Sequence, residues 1–138
     1  MAWITPKTDW TDGEFFDKDD FNRIIGNIDF LYNLYTSLGN TPFTPASMGT
    51  AVTTYSVTVW NYAYFNNLQT NINTMYANIP TLGEIRDMFT YSENGAFCTA
   101  DELNYIENSC IDVEAALQAQ IAGIRRIPFK LGQYKTRI

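Results

Sequence analysis

Apolar residues recur along this chain at helical spacing in three separate stretches, each preceded by the same kind of start signal. Fifteen-residue windows from Phe16 (FDKDDFNRIIGNIDF), Trp60 (WNYAYFNNLQTNINT) and Cys98 (CTADELNYIENSCID) align without a gap. Each opens on an apolar residue, continues with a helix N-cap type (Asp17, Asn61, Thr99) and places an apolar residue four positions after the cap (Phe21, Phe65, Leu103). The cap accepts a bond from an otherwise orphaned backbone N–H, and the flanking pairs Phe16/Phe21, Trp60/Phe65 and Cys98/Leu103 have the spacing of a hydrophobic staple. Thr99 and Glu102 add a capping box.

From these starts an apolar stripe runs through Ile24, Ile28, Leu31, Tyr35 and Leu38, through Leu68, Ile72 and Met75, and through Ile106, Cys110, Val113 and Leu117. Gly39, Pro80 and Gly123 supply the stops. The pattern predicts a mainly α protein: three capped helices from an internal repeat, forming a small bundle. Short extended segments lead into the caps, and Thr81 with Glu84 signals a shorter helix over residues 82–89. Residues 1–123 read as one helical domain, with repeat units at about 14–39, 58–79 and 96–122. Residues 124–138 read as a basic C-terminal tail, and its alternating apolar positions allow an added strand. One asparagine recurs beside the staple in every unit (Asn22, Asn66, Asn104). As a poor helix-interior residue, it is expected to hydrogen-bond the chain entering its own or an adjacent helix.

Composition supports a core without staples: 46% of the 138 residues are hydrophobic and 15% aromatic. Cys98 and Cys110 lack metal-ligand spacing and are expected to be free, buried thiols. Nothing approaches the run of about 18 apolar residues that a membrane span requires, and the start Met1-Ala2-Trp3-Ile4 lacks signal-peptide character, so a protein made in the cytoplasm is expected.

Charge divides the chain. Residues 1–123 carry four basic and fifteen acidic side chains, whereas 124–138 carry five basic ones (Arg125, Arg126, Lys130, Lys135, Arg137) and no acid. An acidic body argues against nucleic acid as a partner, and the tail suits an acidic protein surface, its own or a neighbour's. Between Phe30 and Gly83 there is no charged residue. Charge depletion with aromatic enrichment marks interface cores, so Tyr55, Tyr62 and Tyr64, together with the basic tail, are the candidate contact residues. A second helix sandwiched inside its own chain is the alternative.

Candidate chemistry is thin. Histidine is absent, which removes the usual acid–base and hydrolase arrangements. No phosphate-cradling glycine loop or dinucleotide fingerprint occurs, and no cofactor or metal is implied. The acids Asp17, Asp19, Asp20, Asp101 and Glu102 fall at helix starts, where the backbone dipole accounts for them. Trp3, Trp10, Trp60 and Tyr91, with the tyrosines above, are the residues a sugar-stacking platform would use, although aromatic residues at such positions more commonly form core or subunit contacts.

The opening Trp3-Ile4-Thr5-Pro6-Lys7-Thr8-Asp9-Trp10, followed by Asp20-Phe21-Asn22-Arg23-Ile24 and Asn27-Ile28, resembles the N-terminus of small virion structural proteins of tailed phages and prophages of Firmicutes. The match covers about the first 35 residues. In the later units Asn67 and Tyr105 stand where Arg23 does. The resemblance implies a non-enzymatic virion component acting in tail, neck or fibre attachment, with other virion proteins and its own copies as partners. Two alternatives are a carbohydrate-binding module of a virion and a small prophage regulatory or inhibitor protein.

Overall fold

In the computed structural model, residues 3–51, 62–82, 88–93, 95 and 97–135 are described, those from 124 onward by backbone alone. Three helices form: α1 (Lys18–Ser37), α2 (Tyr62–Asn78) and α3 (Ala100–Lys135). Each packs against the other two, and no strand occurs among the described residues.

The start signals act as expected at α1 and α3. Asp17 caps α1, its carboxylate accepting from the N–H groups of Asp19 and Asp20, while the Asp20 carboxylate accepts from the Asp17 N–H. The bond from the Asp20 N–H holds the Asp17 carboxyl below its ordinary pKa. Its stabilising effect is therefore present above the ordinary carboxylate range and lost as pH falls through the lowered value. At α3 the Thr99 hydroxyl accepts from the Glu102 N–H and the Glu102 carboxylate from the Thr99 N–H. Asn61 and Trp60 lie outside the described residues. So does most of the segment read as a short helix, although Leu82 sits in a turn and Phe89 is not helical.

α1 ends at the Leu38 C-cap, and Gly39, with φ +79°, takes the left-handed conformation that suits glycine. α3 does not end where its stop signal stands. It continues through Gly123 and Pro128 to Lys135, so the tail is helical over residues 124–135 rather than extended. Leu, Arg, Lys, Gln and Ile are adequate helix formers, set against Gly123 and Gly132 at about 1 kcal/mol each and Pro128 at about 3 kcal/mol.

All three helices run in the same direction. The Phe21 and Phe65 rings, each early in its helix, lie 6.0 Å apart, and Phe16 before α1 lies 5.3 Å from Phe97 before α3. At the opposite end Asn40, just past α1, exchanges two hydrogen bonds with Gln120 of α3 (2.8 and 2.9 Å). Parallel neighbours cannot be joined by a tight turn, so each connection must travel the length of the bundle. The repeat fills the interior: matching positions in the three units are buried together, namely Phe21/Phe65/Leu103, Ile24/Leu68/Ile106, Ile28/Ile72/Cys110, Leu31/Met75/Val113 and Tyr35/Ile79/Leu117.

The described parts of the connections have little regular structure, and their backbone polar groups need partners. Helix amides supply them, each gripping one residue's N–H and C=O together. Asn27 holds Ile4 (2.9 and 2.7 Å), Asn71 holds Ala46 (2.8 and 2.9 Å), Asn66 holds Tyr91 (both 2.8 Å) and Asn104 holds Trp10 (2.8 and 3.0 Å). Gln69 does the same for Phe89 (2.9 and 2.7 Å). Asn27 and Asn71 occupy the same repeat position, and Asn66 and Asn104 share another. As expected for that second position, the gripped chain is the one entering an adjacent helix: Tyr91 leads to α3 and Trp10 to α1.

Truncating a buried clamp leaves a backbone N–H and C=O without partners, at a cost of about 1–3 kcal/mol. Asn71→Ala is expected to lower unfolding stability by that amount in chemical denaturation, whereas Asn33→Ala, on the exposed side of α1, changes it by less than about 0.5 kcal/mol.

Candidate functional site

The N-terminal segment converges with α1 and α3 on a buried carboxylate. Glu107, at the repeat position filled by Ile25 in α1 and Gln69 in α2, is 1% exposed. Its oxygens accept from the Arg23 guanidinium side-on (Nε to Oε1 2.8 Å, Nη2 to Oε2 3.0 Å), from the Trp10 indole N–H (2.6 Å) and from the Lys7 backbone N–H (3.0 Å). Arg23 also donates to Asp20 at 2.8 Å, linking the network to the α1 capping box. Burial alone would lower the Arg23 pKa, but the hydrogen bonds to Glu107 and Asp20 outweigh it and leave the pKa raised.

Arg23 and Glu107 come from units one and three, and neither residue type recurs at its position elsewhere in the repeat. The network therefore fixes which segment lies against which pair of helices. Above it, the Lys7 ammonium sits 5.0 Å from the Trp10 ring centre and bridges Asp9 (2.9 Å) and Glu14 (3.1 Å).

This centre has the character of a lock and offers no reactive group to solvent. Each carboxylate oxygen of Glu107 is engaged, and the charge is compensated by an arginine that stays cationic. Cys98 and Cys110 are buried and not joined in a disulfide, as expected, and burial pushes the Cys98 thiol pKa up to about 12. The acids Asp17 and Asp20, which together with Asp19 resemble a cluster of cation ligands in sequence, bind backbone N–H groups instead.

A second feature lies beside the lock. The turn from Trp10 to Phe16 and the start of α3, Phe97 to Leu103, enclose an open cavity of about 390 Å³ at the end where the helices begin. Phe16 enters the core and meets the rings of Trp10, Phe65 and Phe97 at 5.9, 5.7 and 5.3 Å. Its neighbour Phe15, which also lines the cavity, is 93% exposed.

The candidate contact residues are dispersed. Tyr62 is exposed, at 37%. Tyr64 is half-buried and packs so closely on Gly49 that a Cβ there would lie 2.6 Å from its ring. Tyr55 and Arg137 lie outside the described residues. Arg125, Arg126, Lys130 and Lys135 are placed only by their helical backbone in α3. The uncharged face of α2 has an intramolecular explanation: Asn66, Gln69 and Asn71 grip the connections, Asn67 donates to the Ser47 carbonyl, and Thr70 and Thr74 bond carbonyls one turn back. These bonds give part of the uncharged surface a use within the chain, as in the sandwiched alternative, while Tyr62, Thr70, Ala77 and Asn78 stay exposed.

Among the aromatic residues considered for sugar stacking, Trp10 and Tyr91 are core residues at 5% and 8% exposure, and Trp3 is half-buried, 6.0 Å from Phe30. Sequence reasoning missed Glu107. Its signal was an acid on the buried side of an amphipathic helix, one residue past Ile106, paired with the lone arginine of α1.

Comparison with protein families, curated proteins and solved structures finds no match to this chain.

Removing one partner of a buried pair leaves an uncompensated charge, which costs about 3–5 kcal/mol. Arg23→Ala, which strands the buried Glu107 carboxylate, is expected to lose stability on that scale in denaturant titrations followed by tryptophan fluorescence, and Glu107→Ala to lose less, because Arg23 keeps Asp20 as a partner. A double-mutant cycle is expected to give a coupling above about 1 kcal/mol, since the two side chains touch directly.

Proposed function

We propose that this chain is a non-enzymatic structural component of a tailed-phage virion, acting in tail, neck or fibre attachment through contacts with other virion proteins and with its own copies. The observation that carries the reading is the structural use of the N-terminal pattern. Trp10, Asn27 and Arg23, three of the residues on which the resemblance to phage structural proteins rests, work as indole donor, backbone clamp and half-buried cation. The pattern describes a way of fastening one segment to a helical bundle, and a protein whose role is assembly needs such a frame.

The distribution of charge supports the same reading. The clamped bundle consumes its own polar groups, which leaves the basic continuation of α3 and the acidic end of the bundle as the surfaces of strongest character. No helix among the described residues is long and apolar enough to cross a membrane.

Two measurements test the proposal. Mass spectrometry of purified particles from an induced lysogen is expected to find the chain at stoichiometric rather than trace level. A chain lacking residues 124–138 is expected to keep the helical circular dichroism of the bundle but to be lost from particles. Absence of the full chain from particles would reject the virion reading, and normal incorporation of the truncated chain would reject a role for the tail.

A further inference from the structure

The molecule is electrically polar along its own axis. Because the helices are parallel, their N-termini gather at one end together with Asp9, Asp12, Glu14, Asp19 and Asp101; Lys7 bridges Asp9 and Glu14 and Lys18 pairs with Asp19, but acids outnumber bases there. At the other end only α3 continues, fifteen residues beyond its Gln120 contact with Asn40, into the segment with five basic and no acidic residues.

The acidic end also holds the cavity of about 390 Å³, floored by Trp10, Phe16, Phe97 and Leu103 and edged by Asp12 and Glu14. Phe15, almost wholly in water, stands among its lining residues. The fold does not use this ring: Phe16 enters the core, and Phe15 points its apolar surface outward beside an apolar hollow that it does not fill.

We propose that this cavity is the docking site for the basic C-terminal segment, residues 124–138, of a second copy of the chain, so that copies associate head to tail. Charge complementarity argues for that occupant, since Asp12 on the rim and the excess of acids around it meet the one strongly basic segment in the sequence. Composition agrees: the segment interleaves Ile127, Phe129, Leu131 and Tyr134 with its cations, which gives apolar groups for the hollow and for Phe15 beside cations for the rim.

Geometry requires the segment to come from another copy. α3 runs unbroken from Leu103 at the cavity wall to Lys135, a separation of about 48 Å at 1.5 Å per residue, so a chain's own segment is carried away from its own cavity. The continuation is also a weak helix by itself. Gly123 disfavours it, and Pro128 gives no N–H to the carbonyl one turn back, so docking would supply support that it lacks. A contact between two different surfaces is heterologous and propagates until a ring closes or a filament grows. The inference rests on the assembly reading above and narrows it to one pair of surfaces.

Sedimentation velocity of the full chain over a range of concentration and salt is the test. The wild-type chain is expected to self-associate, less so as salt rises. Phe15→Ala, at an exposed position, is expected to keep the wild-type melting curve and to weaken association about tenfold or more. A head-defective chain (Phe15→Lys with Asp12→Lys) and a tail-defective chain (Arg125→Glu with Arg126→Glu) are each expected to be monomeric. Mixed one to one, they are expected to form a heterodimer that grows no further, because one intact head meets one intact tail.

Association of either defective chain at wild-type strength would overturn the proposal, and so would a mixture that stays monomeric. A wild-type chain that is monomeric throughout yet present in particles would overturn head-to-tail contact alone. A chain that associates as described yet is absent from particles would overturn the virion reading alone.

Discussion

The burial of the Glu107 charge constrains the rest of this fold. A carboxylate almost entirely removed from water is tolerable only with a close cation and enough hydrogen-bond donors to replace its hydration. Arg23 of α1 and, from the N-terminal segment, the Trp10 indole and the Lys7 N–H supply these, and all must be in place together. The arrangement forces the N-terminal segment down against α1 and α3, sets those helices side by side in parallel, and ties the pair to the α1 cap through Asp20. A hydrophobic seam alone would accept several registers; a buried charge with four specific donors selects one.

Parallel helices create a second constraint, which the amide clamps meet. Each helix is reached by a long stretch, non-helical where it is described, and such stretches are uncommon in compact domains because their backbone lacks partners. Here Asn27, Asn66, Asn71, Asn104 and Gln69 act as substitutes for a β-ladder, each offering one acceptor and one donor to a single residue. The cost is that polar helix positions are spent on the inside. In return the polar groups of α2 are satisfied without charge, and the strongest excess of basic residues falls in the continuation of α3.

Much of the helical frame was legible in the sequence, because caps, stripes and the repeat are local in their physics. Asp17 and Thr99 announce helix starts, and each stripe residue named from periodicity except Leu38 is buried. The role of the recurrent asparagine was also readable, since a poor helix former kept in register needs a partner. What escaped was non-local. Nothing in the spacing of Arg23 and Glu107 reveals that residues 84 positions apart meet, nor that the helices run in parallel. The absence of charge in α2 pointed outward on statistical grounds, whereas the bonds that Asn66, Gln69 and Asn71 make to the connections depend on a topology the pattern does not encode. Gly123 misled in a simpler way: a glycine stops a helix only when it takes a positive φ, as Gly39 does and Gly123 does not.

If clamps and carboxylate hold the irregular segments as firmly as described, those segments belong to the same cooperative unit as the core. Native-state hydrogen exchange resolved by residue tests this most directly. The backbone N–H groups of Ile4, Lys7, Trp10, Ala46 and Tyr91, all outside helices, are predicted to exchange only on global unfolding, with the same opening free energy as core amides of α1 such as Ile28. Exchange of these five at the rate of an unstructured chain, while the α1 amides stay protected, would contradict the account.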